Sequence, residues 1–157
     1  MHALLPRVLL NTTNHLAVRG PITAESTRAF FDAAMRTSWT ELHYVYLDTP
    51  GGSVSHGQRI AAFVQRRNLT CIAQRAHSMG FVLLQHCGRR WITPHGSAMQ
   101  HQVSLQHVQG ELRKVQEQLA AVARVDRELA RVQADRLGVS VEWFQNRTRD
   151  EWWMSGT

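Results

Sequence analysis

The sequence predicts an α/β fold built on a largely parallel sheet. Strand-type and helix-type segments alternate from His15 to Val103, with Gly- and Pro-bearing turns between them. Beyond that stretch the pattern changes to one long helical repeat without proline.

Residues 1–13 read as a loosely held arm, and residues 14–157 as one domain. His15 to Val18 is a short strand closed by Gly20-Pro21. Thr23 caps a helix running to about Arg36, and Phe30, Phe31, Ala34 and Met35 give that helix one apolar face. His43 to Leu47 alternates and is rich in Tyr and Val, which marks a strand. Pro50-Gly51-Gly52 turns the chain. Ser55 and Gln58 have capping-box spacing, and the helix they open runs to about Arg67, with Ile60, Ala61 and Val64 inward. Leu69 to Ala73 is the next strand. Met79 to Cys87 is a short apolar helix stopped by Gly88. Trp91 to Thr93 and Ala98 to Val103 are strands parted by Pro94 and Gly96. Sheets of this kind place ligand sites at the carboxyl ends of strands, where the Gly51-Gly52 turn and Ser78 both fall.

From Leu105 to Leu137 the only glycine is Gly110. Apolar residues recur at Leu105, Val108, Leu112, Val115, Leu119, Val122, Leu129 and Val132, a spacing close to a heptad seam. A helix of about 30 residues is about 45 Å long at 1.5 Å per residue, more than a domain of this size covers. Part of it is expected to project and to bury its stripe against another subunit. Gly138 ends it, and Ser140 caps a short helix with Val141, Trp143 and Phe144.

The chain has 157 residues, 43% of them hydrophobic and 19% charged, an ordinary balance for one globular domain. No apolar run approaches the roughly 18 residues that span a bilayer, so no membrane partner is expected. The opening segment is interrupted by Pro6 and Arg7 and does not read as a signal peptide, so the expected location is cytoplasmic. The net charge of +6 comes from seventeen arginines and a single lysine, Lys114. These charges are scattered and accompany no nucleic-acid motif, so they read as a solvated surface. Cys71 and Cys87 sit in apolar surroundings and read as buried free thiols. Neither CxxC spacing nor an HExxH pattern occurs, so neither a metal nor another cofactor is expected.

The chemistry concentrates in four short stretches. Gly51-Gly52 offers backbone N–H groups. Ser78 opens a helix, where the Met79 N–H and the Gly52 N–H are placed to receive an oxyanion. His101, within Met99-Gln100-His101-Gln102, is a candidate base, and Asp150 a candidate orienter of that base. Each also has a plainer reading. Ser78 serves equally as a helix cap, His101 as a core histidine, and Asp150 as a surface charge. His77 is a rival base, although adjacent residues rarely meet the geometry that proton transfer from Ser78 needs.

Together these stretches resemble the proteolytic subunit of the Clp protease. Tyr44 to Val54 is similar to that family's strand and Pro-Gly-Gly-Ser-Val turn, and Ser78-Met79-Gly80 to its nucleophile motif. Ser97 to Gln102 is similar to the stretch carrying its histidine, and Arg149-Asp150 with the following aromatic pair to the stretch carrying its aspartate. The resemblance covers roughly residues 14–157. It implies a crotonase-like (ClpP-like) fold, with a projecting handle helix at about 105–137 that joins two rings. It also implies a serine endopeptidase using Ser78, His101 and Asp150, with Gly52 and Met79 as oxyanion donors. Its substrates would be peptides or unfolded proteins, held extended beside a strand edge inside a chamber of two stacked heptamers. An ATP-driven AAA+ unfoldase would feed them in. A catalytically silent ring subunit is the alternative. Two related chemistries fit less well. A serine–lysine pair would need a lysine near a strand end, whereas Lys114 lies on the long helix. A crotonase-type acyl-CoA enzyme would not need the serine, histidine and aspartate set.

Overall fold

The computed structural model describes residues 7–105 and 108–156. Residues 1–6 of the expected arm, Gln106 and His107 of the expected helix span, and Thr157 lie outside the described residues. The elements in chain order are β1 (His15–Arg19), α1 (Ala24–Arg36), β2 (Tyr44–Thr49), α2 (Val54–Arg66), β3 (Thr70–His77), α3 (Met79–Gln85), β4 (Arg89–Gln100), α4 (Leu112–Leu137), α5 (Val141–Arg147) and β5 (Trp152–Ser155). One five-stranded sheet has the order β1-β2-β3-β4-β5. The first three pairings are parallel, as the alternation predicts, and β5 runs antiparallel to β4.

Strand alternation decides which side chains enter the core. Val45 and Leu47 of β2 and Cys71, Ala73 and Ala76 of β3 are fully buried against α1, α2 and α3. The intervening Tyr44, Tyr46 and Ile72 are half-buried on a face that these helices leave uncovered. Val8 and Leu10 of the arm lie against that face beside Tyr46, Ile72 and Trp91. Helix starts follow local chemistry. The Thr23 hydroxyl accepts from the Ser26 N–H at 3.1 Å, and the Ser26 hydroxyl accepts from the Thr23 N–H at 2.9 Å, a reciprocal cap for α1. Ser140 caps α5 by accepting from the Trp143 N–H at 3.1 Å.

Several boundaries differ from expectation. The cap of α2 is Ser53, whose hydroxyl accepts from the His56 N–H; Ser55 already lies inside the helix. The two strands expected around Pro94 and Gly96 are one strand, β4. Its register with β3 slips between Ala73 and Arg75, so that the chain around Pro94 and Gly96 bulges without leaving the sheet. The long helix starts at Leu112 instead of Leu105. Gly110 has φ +135°, a conformation outside any helix, and it separates Leu105 and Val108 from the apolar stripe they seemed to begin. What remains is 26 residues. Within it the buried residues are Leu129, Ala130, Gln133 and Ala134, all in the second half. The first half carries Leu112 and Leu119 at 74% and 45% exposure, so it extends past the core. No helix among the described residues is long and apolar enough to cross a membrane.

Cys71 and Cys87 correct the expectation of free thiols: they form a disulfide, with Cα atoms 5.8 Å apart. The bond ties the start of β3 to the residue just past the C-cap of α3, and both cysteines are almost wholly inaccessible. It closes a loop with a sequence separation of 16 residues that contains Ser78. Cross-links of this loop length stabilise by about 3 kcal/mol through the unfolded chain. A Cys71→Ala, Cys87→Ala double variant should therefore lose about 2–4 kcal/mol in urea unfolding. An unchanged midpoint would show that the link contributes nothing to stability.

Candidate active site

Four chain segments meet where β2, β3 and β4 end. The first is the turn after β2. Gly51 and Gly52 have φ +96° and +142°, values that side-chain-bearing residues rarely adopt. The Gly51 N–H donates to the buried Thr49 hydroxyl at 3.1 Å. The Gly51 carbonyl accepts from the Ile22 N–H at 2.8 Å, and the Ile22 carbonyl accepts from the Ser53 N–H at 2.9 Å. This bracket on both sides leaves the Gly52 N–H without an acceptor among the described residues.

The second segment is the junction of β3 and α3. Ser78 sits at φ +53°, ψ −119°, one of two described non-glycine residues with positive φ. It occupies the cap position of α3, yet its hydroxyl makes no capping bond. The helix-cap reading of Ser78 is therefore set aside: the backbone is held in an uncommon conformation and the hydroxyl is left free for other work. The backbone itself is anchored, because the Ser78 N–H donates to the Met99 carbonyl at 2.8 Å. Met79 is the first helical residue, so its N–H has no acceptor within the helix. Its side chain is buried against Gly57 of α2, where a methyl group on Gly57 would come within 2.3 Å of the Met79 Cγ. The close approach of the two helices fixes the start of α3.

His101 follows β4 directly, and Asp150 precedes β5. Two bonds hold these segments. The Gln102 N–H donates to the Thr148 carbonyl at 3.2 Å, and the Val103 N–H donates to Asp126 of α4 at 2.9 Å. The β4–β5 register, with Gln100 opposite Trp152, brings the residues after β4 alongside those before β5.

Ser78, Met79, Gly52 and His101 line one small cleft of about 80 Å³, with Val54 and Leu129 as apolar walls. His101 and Asp150 line an adjoining open groove, together with Gln102 and Arg149. His101 stands between the two spaces. Its Nδ1 lies 2.5 Å from the Gln102 carbonyl, not against Asp150, which is exposed. A carbonyl only accepts, so Nδ1 is the donor in this contact, and it is Nε2 that holds the lone pair of the neutral ring.

His77 does not compete for the role of base. The side chain of Ala76 enters the core, so alternation turns that of His77 to the opposite face of the sheet from α3. There its Nε2 lies 2.8 Å from the Ser97 hydroxyl, and its ring meets that of Trp153 edge-on with centroids 4.9 Å apart. Burial, and then the nearby Arg75 guanidinium, hold its pKa below the usual histidine value.

The molecule is thus an α/β protein with a largely parallel sheet and a cleft lined by Ser78 and His101 at the carboxyl ends of its parallel strands, the position at which such sheets carry their sites. The Clp protease family model matches residues 10–157, nearly the whole chain, and the chain belongs to that family. Members of this family are proteases that typically form oligomeric rings.

Proposed function

We propose that the chain is a serine endopeptidase of the Clp type that cleaves peptides or unfolded proteins. The observation that supports it most is Ser78. A serine held at positive φ, uncapped, opens onto a cleft shared with a histidine and two amides that lack acceptors. In the proposed reaction the Ser78 Oγ attacks the peptide carbonyl while His101 Nε2 takes its proton. The carbonyl oxygen becomes an oxyanion received by the Gly52 and Met79 N–H groups. His101 then passes the proton to the departing amine, leaving an acyl-serine ester. Water attacks the ester with His101 again as base, releasing the acid and restoring the serine. Asp150 completes the set by accepting from His101 Nδ1, for which the ring must exchange the Gln102 carbonyl for the carboxylate.

The test is treatment of the assembled protein with a fluorophosphonate, followed by intact-mass measurement and mapping of the adduct. One adduct, on Ser78, is the expected result, and His101→Ala should abolish it. Assembled protein that never reacts would favour the second reading, a ring subunit without turnover. The contact of His101 with Gln102 in place of Asp150 is the observation on that side.

The assembly and setting that go with this activity are the family's. We infer a crotonase-like fold for residues 14–157 with residues 1–13 as an arm, stacked heptameric rings, an AAA+ unfoldase as partner and a cytoplasmic location. In a reducing compartment the burial of Cys71 and Cys87 would slow attack on their bond. Self-association is assigned to the exposed first half of α4, where Leu112, Val115, Leu119 and Val122 form one stripe. Leu119→Asp places a charge in that stripe and should shift the mass in light scattering to a smaller species. An unchanged mass would remove α4 from the contact between copies.

A further inference from the structure

We propose that His77 is a positioning residue for hydrolysis: its imidazole fastens together the three chain segments that carry Ser78, His101 and Asp150. This inference rests on the peptidase reading of the site. The three attachments are of different kinds. His77 is bonded covalently to Ser78. Through Nε2 it holds the hydroxyl of Ser97, on the strand that ends one residue before His101. Through its ring edge it holds Trp153 of β5, the strand that begins two residues after Asp150. The sheet register places His77, Met99 and Trp153 in one cross-strand row, so the contact spans three strands.

On one face of β5, Trp152 meets the rings of Phe81, Trp143 and Phe144; on the other face, Trp153 meets the ring of His77. The strand is four residues long, lies at the sheet edge, and alternates between half-buried and exposed positions. A short edge strand gains less from pairing than an interior one, so a side-chain clamp matters more there. Trp153 is itself steered, because its indole N–H donates to Glu151 at 2.9 Å. Glu151 directly follows Asp150, so the ring contact extends back to the aspartate's neighbour. His77 therefore acts on the far face of the sheet from the cleft and makes no contact with substrate.

The clamp also depends on protonation. The charged groups acting on His77 are Arg75 from its own strand, Asp48 from β2 and Glu151 before β5, while β4 presents the uncharged Ser97. Arg75 is paired with Asp48 at 3.0 Å. Burial and Arg75 disfavour the imidazolium, so the neutral ring is the form that packs. Folded His77 binds its proton less readily than the unfolded chain does. The contribution of the clamp is therefore complete above pH 6.5, the ordinary histidine value, and is lost as pH falls below it through the lowered value.

The experiment compares wild type, His77→Ala, His77→Gln and Ser97→Ala as assembled proteins. It measures the rate of fluorophosphonate reaction at Ser78, and kcat and KM on a peptide, each against pH. His77→Ala should react about tenfold more slowly and lose kcat to the same degree, with KM within twofold, because alignment and not substrate contact is altered. Wild type should lose activity on the acid side with a slope steeper than one proton. The glutamine variant cannot titrate there, and its slope should fall to one. Ser97→Ala changes a single atom and folds most safely; it should reproduce the loss of rate at smaller amplitude. A normal rate and unchanged acid slope in all three variants would overturn the positioning role while leaving the peptidase reading intact. Failure of the wild type itself to react would overturn both.

Discussion

Ser78→Ala is expected to reduce peptide hydrolysis by at least about a thousandfold and to abolish fluorophosphonate labelling, with assembly and stability unchanged. The size follows from the role. Members of a nucleophile–base set act as a unit, so removal of one leaves only binding and oxyanion stabilisation. The absence of a stability cost follows from the geometry. The Ser78 hydroxyl caps nothing in α3, so alanine removes no bond from the fold. Alanine also has the same steric demand at φ +53° as serine, so any backbone strain is carried over unchanged. A shift in stability of less than about 0.5 kcal/mol is therefore expected. Hydrolysis retained in this variant would mean another nucleophile. Loss of hydrolysis together with loss of assembly would mean that Ser78 is structural.

The parallel sheet and most of its helices were legible because their signals are local. Tyr44 to Leu47 alternates, Thr23 and Ser140 stand directly before apolar helical runs, and Pro-Gly and Gly-Pro pairs punctuate the turns. What escaped depends on contacts distant in sequence. β5 is four residues, Trp152 to Ser155, with no turn signal before it, and only the waiting edge of β4 makes it a strand. The continuity of β4 across Pro94 and Gly96 is likewise imposed by β3, which supplies the register on both sides of the bulge. Leu105 and Val108 fit the seam of α4 by spacing alone, and the conformation of Gly110 overrides that spacing. A separation of 16 residues says nothing about whether Cys71 and Cys87 approach each other; the path through β3 and α3 decides it.

At the site, the residue types and their order were legible, and their conformations were not. Nothing in Ala76-His77-Ser78-Met79 announces a serine at positive φ. That state comes from the abrupt passage of β3 into α3, with the Ser78 N–H caught by Met99. The direction of the two neighbouring side chains is a consequence of strand parity. Parity assigns His77 to the uncovered face of the sheet and frees the residue after it for the cleft. Likewise no sequence pattern signals that His101 Nδ1 meets the carbonyl of Gln102, since that contact depends on where the Thr148 and Asp126 bonds hold the chain after β4.

Gly51→Ala is the second large effect expected. A Cβ at this position would lie 2.7 Å from the His77 carbonyl oxygen, 2.8 Å from the Ser78 Cβ and 3.0 Å from the Met79 nitrogen. All three are backbone or Cβ atoms, so no side chain can rotate out of the way, and φ +96° is itself unfavourable for alanine. Positive φ and overpacking each cost about 1–3 kcal/mol, so a loss of about 2–6 kcal/mol is expected. Relief requires the loop to retreat from the β3–α3 junction. The Gly52 amide retreats with it, away from the Met79 amide with which it is proposed to hold the oxyanion. Displacements near 1 Å cost about a hundredfold in rate, so hydrolysis should fall about that far even where the variant remains folded. Gly20→Ala separates the two causes. Gly20 also has positive φ, at +68°, but a Cβ there meets nothing within 4 Å. That variant should lose about 1–2 kcal/mol and keep its activity per folded molecule. If urea unfolding and peptide turnover show the two alanine variants to be alike, close packing of the glycine turn against Ser78 is not what shapes the site.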